Sequence, residues 1–114
     1  MTIRTQQYAI RAYPKINDVK GREIEKKYRT LALTFPTMIL QAGLAQAVGF
    51  LQGKGKVEHL QYLADLAHVL EIENADSLHT QVIGSTVTEY QYLTRKSLDA
   101  SAWLKRYTQA LLEG

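Results

Sequence analysis

Three histidines, a Gly-Lys-Gly-Lys turn and a Gly-Ser-Thr step are the places where side-chain chemistry would begin in this chain. His59, His68 and His79 stand nine and eleven residues apart. A helical metal site needs a second ligand three or four residues further on, one turn along the same face, yet four residues after His68 comes Ile72. The GKGK run at residues 53 to 56 has neither the spacing of a phosphate-cradling loop nor a hydroxyl after its lysine, and no strand precedes it. The GST at 84 to 86 lacks the strand-turn-helix setting of a nucleophile elbow. Glu71 and Glu73, two apart, leave a helix on different sides and cannot share acid and base roles. With no cysteine, thiolate ligands, disulfides and cysteine nucleophiles are also excluded. The expectation is a protein without catalytic residues, metal, cofactor or small-molecule substrate.

The basic residues carry more information, because helical geometry sorts them into rows. Arg4, Tyr8, Arg11 and Lys15 fall at i, i+4, i+7 and i+11, opposite an apolar side marked by Ile3, Ile10 and Tyr13. Arg22, Lys26 and Arg29 form a second row opposite Ile24, Tyr28 and Leu31. Near the C-terminus Arg95 and Arg106 point away from the core, while Tyr92, Lys96 and Trp103 share a flank. Such rows can follow a phosphate backbone. The same arrangement also keeps an ordinary amphipathic helix soluble, so rows on separate helices bind only if the fold gathers them. Tyr92 and Trp103 read as core edge or subunit contact before base-stacking platform.

These residues need helices to position them, and helix signals dominate. The spacing expects a first helix over residues 3 to 17 with a break or kink at Pro14, and a second over 22 to 35 whose Ile24, Tyr28, Leu31 and Phe35 form an apolar stripe. Residues 30 to 53 hold no charged side chain although basic residues flank them. Pro36 divides that run, so a third helix from Pro36 to about Gln52 is expected, about 25 Å long and too short for a membrane span. Gln41 and Gln46 within it also favour a protein interior over lipid. Gly53 and Gly55 end it with positive φ, and Gly43, Ala47 and Gly49 let neighbours approach closely. A helix at 57 to 72 is expected to bury Leu60, Leu63, Ala67 and Leu70, followed by a loop with one short helix at 77 to 83. The last helix opens at Thr86 or Thr88 and runs to Leu112, turning Leu93, Ser97, Ala100, Leu104, Tyr107 and Leu111 inward.

The fold class is therefore all-α: one domain over residues 1 to 114, a compact bundle of about five to six helices around an uncharged central helix. No signal-peptide-like apolar stretch opens the chain, and a cytoplasmic protein without membrane partner is expected. Charge is uneven. Residues 1 to 56 hold ten Lys/Arg against three Asp/Glu, a balance of +7, and residues 57 to 114 hold four against eight, a balance of −4. That polarity suits a polyanion, a head-to-tail partner, or both.

KKYRTLALTFPTMILQAGLAQAVGFL at 26 to 51, with its Tyr-x-x-Leu-Ala stretch and Gly43-Leu44-x-Gln46-Ala47-x-x-Phe50, resembles the small α-helical subunit of the Cmr complex, the type III-B CRISPR RNA-guided effector. EYQYLTRKSLDASAWLKRYTQALL at 89 to 112 resembles the same family's ending, and the likeness spans about residues 20 to 112 in order. The resemblance implies a noncatalytic structural subunit that stacks in several copies as a minor filament beside the duplex of guide and target RNA, in antiviral defence. It implies other Cmr subunits, CRISPR RNA and target RNA as partners. Recognition would run through phosphates and shape, because the guide supplies sequence. The candidate nucleic-acid-binding residues are Arg22, Lys26, Lys27, Arg29, Lys54, Lys56, Arg95, Lys96, Lys105 and Arg106. A free-standing helical nucleic-acid binder and the small subunit of the related type III-A effector are the competing readings. The segment around Pro14 and the loop at 73 to 86 match nothing firm in the family.

Overall fold

The computed structural model describes residues 3–113. Six helices follow one another: α1 (Arg4–Val19), α2 (Glu25–Ala42), α3 (Leu44–Lys54), α4 (Val57–Val69), α5 (Ala75–Gly84) and α6 (Val87–Leu111). The described residues contain no strand. α6 lies along α1 and α2, α5 closes against α3 and α4, and α4 touches all five other helices. No helix among the described residues is long and apolar enough to cross a membrane.

Both prolines sit inside helices rather than between them. Pro14 would orphan the carbonyl of Ile10, but both residues are exposed, so water can take the lost bond. Pro36 lies between Phe35 and Ile39, which are 0% and 2% exposed and packed into the same core. Two large side chains buried on one face outweigh the roughly 3 kcal/mol that an interior proline costs. The expected boundary at Pro36 is therefore wrong. It falls at Gly43, whose φ of +89° and ψ of 157° suit glycine alone, and there the chain turns from α2 into α3. A Cβ on Gly43 would also stand 3.4 Å from the Tyr90 hydroxyl, which accepts the Ala45 N–H at 2.9 Å and so caps the start of α3. The uncharged stretch thus forms the second half of α2 and most of α3, with Ala32, Phe35, Leu44, Ala47, Val48 and Leu51 fully buried. Gly49 and Gly53 have no neighbour in the way of a Cβ, so only Gly43 among the expected small residues is a close approach by a glycine. At the other end Gly55 takes the left-handed cap expected of it (φ +64°).

On α1 the inward face is the reverse of the expected one. Tyr8, Ala12, Ile16 and Val19 are buried, whereas Ile3, Ile10 and Tyr13 are 50%, 68% and 46% exposed. Four residues at i, i+4, i+8 and i+11 make a longer stripe than three, and Tyr8, which the sequence reading grouped with the cations, belongs to it. α4 buries Leu63, Ala67 and Leu70 as expected, but Leu60 is 40% exposed and Tyr62, Asp65 and Leu66 take the interior. α5 is a ten-residue helix, longer than the expected 77 to 83, because Asn74 accepts the Ser77 N–H at 2.8 Å and starts it early. α6 opens on a Thr86 and Glu89 capping box and buries Leu93, Ser97, Ala100 and Leu104 as expected, with Tyr107 and Leu111 packed at the core's margin.

Candidate nucleic-acid interface

The ten expected cations spread over four places. Arg22 lies in the turn between α1 and α2, exposed, and donates to Gln61 at 3.5 Å. It therefore does not share a helix row with Lys26 and Arg29, because α2 starts only at Glu25. Lys26 and Lys27 are exposed in the first turn of α2, where the helix dipole disfavours positive charge. Arg29 is half-buried beside the core. Lys54 and Lys56 flank Gly55 at the corner between α3 and α4, the Lys54 ammonium 5.5 Å from the Phe50 ring. On α6, Arg106 is exposed and stacks over Trp103 at 5.9 Å, with Lys105 half-buried next to it.

Arg95 and Lys96 are neighbours in sequence and part company in space. Arg95 borders a shallow depression with Tyr90, Gln91 and Thr94. Lys96, about 100° further round the helix, turns the other way, toward α1 and α5. There the fold gathers the cations of α1 that the sequence reading arranged in a row and did not include among the candidates. Arg4, Gln7, Tyr8, Arg11, Glu71 and Lys96 line one groove of about 320 Å³. The Arg4 and Arg11 guanidiniums lie 5.9 and 5.6 Å from the Tyr8 ring, and the Lys96 ammonium 4.6 Å from the Tyr92 ring. Arg11 also has a structural task, donating to the Val69 carbonyl at 2.9 Å at the end of α4 and to Glu71 at 3.1 Å. Arg4 has Asp99 at 3.7 Å. Lys96 has no carboxylate within ion-pair distance among the described residues.

The basic seam of α1 continues beside α4. His68, exposed there, has its pKa lowered by partial burial and by the charges of Lys15 and Arg11. Beneath it Asp65, 1% exposed, accepts the Tyr28 hydroxyl at 2.6 Å and the Gln61 amide at 2.9 Å. Burial pushes its carboxyl up to about 6, held from going further by those two hydrogen bonds and by the charges of Lys15 and Arg22. Burial and the Asp65 charge likewise raise the Tyr28 hydroxyl well above its ordinary value, so it stays a donor. Lys96, Arg4, Arg11, Lys15 and Arg22 thus follow the seam from α6 to the α1–α2 turn, and Arg22 joins the surface to the buried carboxylate through Gln61.

The buried tyrosine and aspartate carried no sequence signal as a pair, being 37 residues apart. The groove was half legible. The i, i+4, i+7 and i+11 row on α1 was readable, but its meeting with Lys96 depends on α1 packing along α6. Among the described residues no three His, Cys, Asp or Glu side chains gather where a metal could be held. His59 faces Glu58 at 3.4 Å, and His68 and His79 stand apart on α4 and α5.

A family model described as CRISPR-associated protein (Cas_Cmr5) matches residues 4–111. The chain is 37% identical over 113 residues to the CRISPR system Cmr subunit Cmr5 of Thermus thermophilus, covering 99% of both chains. The crystal structure of a CRISPR-associated Cmr5 family protein from Thermus thermophilus superposes with a TM-score of 0.94 at 37% identity, covering 99% of this chain and 100% of that one. A match that runs from the first turn of α1 to the last residue of α6 leaves no helix outside it, and the chain belongs to the Cmr5 family.

Proposed function

We propose that this chain is the noncatalytic small subunit of a type III-B Cmr RNA-guided effector, acting in the cytoplasm in antiviral defence. It acts as one α-helical domain that stacks in several copies beside the backbone filament and grips guide and target RNA by their phosphates. The observation that carries this reading is family membership along nearly the whole chain, in which every helix takes part. The basic surface supports the RNA contact, since Arg22, Lys26, Lys27, Lys54, Lys56, Arg95 and Arg106 are all exposed. An acidic second half against a basic first half suits a head-to-tail contact, which propagates when its rotation does not close into a ring.

The test is assembly. Purified chain, CRISPR RNA and the remaining Cmr subunits are mixed and weighed by native mass spectrometry, with and without Arg95→Gln and Arg106→Gln. Several copies per complex, and a uniform loss of target-RNA retention across target sequences in the double variant, are expected. Failure of the chain to enter the complex would sink the proposal. A sequence-dependent loss would overturn the phosphate part, and self-association indifferent to salt would count against charge-driven stacking.

A further inference from the structure

We propose that the cleft along α6 at Lys96, with α5 on one side and α1 on the other, is a binding site for single-stranded RNA, one base stacking on Tyr92 and the adjoining phosphates lying on Lys96, Arg4 and Arg11. This rests on the reading of the chain as an RNA-contacting subunit, and it assigns the contact to a face that only Lys96 of the ten expected cations shares.

Two depressions meet at Lys96. One is the groove of about 320 Å³ with Arg4 and Arg11. The other, about 550 Å³, is walled by Thr80, Gln81, Ser85 and Tyr92. A space of that size suits a base with its ribose, and the threonine, serine and glutamine side chains supply donors and acceptors for a base edge. Tyr92 is 48% exposed, which leaves about half of its surface open beside positive charge. The Lys96 ammonium at 4.6 Å and the Arg4 guanidinium at 6.0 Å from that ring set cations at the step from base to phosphate. Glu89 lines the larger depression and Glu71 the smaller, and neither pairs with Lys96. The Glu89 carboxylate is held by the Thr86 N–H at 2.9 Å, and Glu71 and Asp99 each face an arginine and leave Lys96 free. From Arg4 to Lys15 the seam runs about 16 Å along α1, enough to carry the strand past the first phosphates. A duplex keeps its bases stacked on one another, so an exposed ring next to a phosphate groove favours an unpaired strand.

The probe is a fluorescent oligouridylate titrated into the full-length chain, beside inorganic polyphosphate and a blunt RNA duplex. Tyr92→Ala is expected to weaken oligouridylate binding about tenfold and leave polyphosphate binding unchanged, since it removes the ring on which one base stacks and no charge. Lys96→Gln is expected to weaken both and to reduce the salt dependence by about one phosphate contact. The His68 ring signal in NMR gives a second readout: oligouridylate in the seam offsets the charges of Lys15 and Arg11 and moves its titration upward. Equal loss of both probes in Tyr92→Ala, unchanged binding in Lys96→Gln, a preference for duplex, or no binding by the wild-type chain would each overturn the site. Incorporation of both variants into the assembled complex is measured in parallel. Normal incorporation without oligouridylate binding defeats the cleft and leaves the subunit reading standing, whereas oligouridylate binding by a chain that never enters the complex does the reverse.

Discussion

At Asp65 a carboxylate 1% exposed sits against aromatic rings, with a hydroxyl and an amide donating to it. At Lys96, half-buried on the far side of the seam, an ammonium also sits against an aromatic ring, but no carboxylate answers it. Removing a partner from the first leaves a buried polar group stranded, which costs about 1 to 3 kcal/mol, whereas water can replace any partner of the second. The first arrangement is built to be finished by the protein itself. The second is left to water, so the hydrogen bonds of the interior carboxyl serve the fold and the charge in the cleft is open to a ligand.

The largest way to sharpen that contrast is Phe35→Ala, which empties a fully buried site next to Tyr62 and should cost about 3 to 5 kcal/mol in urea unfolding followed by Trp103 fluorescence. A loss below about 1 kcal/mol would mean that the interior is not packed as described.

Next comes the pH dependence of Asp65. Its folded pKa of about 6 lies above the ordinary 3.8, so between those values the folded state binds the proton and the unfolded state does not. Stability from this group is therefore present below about pH 4 and lost as pH rises to about 6, amounting to about 3 kcal/mol for a shift of about two units. Asp65→Asn should remove that slope, read as the difference between variant and wild type across pH 4 to 7. The difference isolates Asp65, because Glu25 and Glu89, whose pKa values backbone hydrogen bonds lower, act with the opposite sign in both proteins. Parallel curves would break the comparison at its interior end.

Gly43→Ala tests the corner between α2 and α3. A side chain at φ +89° is strained and meets the Tyr90 hydroxyl, so a loss of about 1 to 3 kcal/mol is expected. The smallest effect is Lys96→Gln, whose stability should stay within about 0.5 kcal/mol of wild type. A larger loss would show that Lys96 belongs to the fold after all.

Capping residues and stripes were the most legible features. A helix start at Thr86, Gly55 as a left-handed cap, and Ile24, Tyr28, Leu31 and Phe35 on one face are all local patterns, decided within a few residues. The readings that failed hinged on two competing local signals. Pro36 says stop and its buried neighbours say continue, and on α1 the face of Ile3, Ile10 and Tyr13 competes with the face of Tyr8, Ala12, Ile16 and Val19. Such ties are settled by the apolar area that the rest of the chain offers.

The sequence by itself determined an all-α chain with an uncharged stretch and a basic first half, because periodicity, composition and residue type are properties of neighbours along the chain. Only the tertiary structure decided that Tyr28 meets Asp65, that Arg4 and Arg11 meet Lys96, and that Arg95 does not join them. Those meetings join residues tens of positions apart, and they depend on how α1, α2, α4 and α6 pack, which no local pattern records.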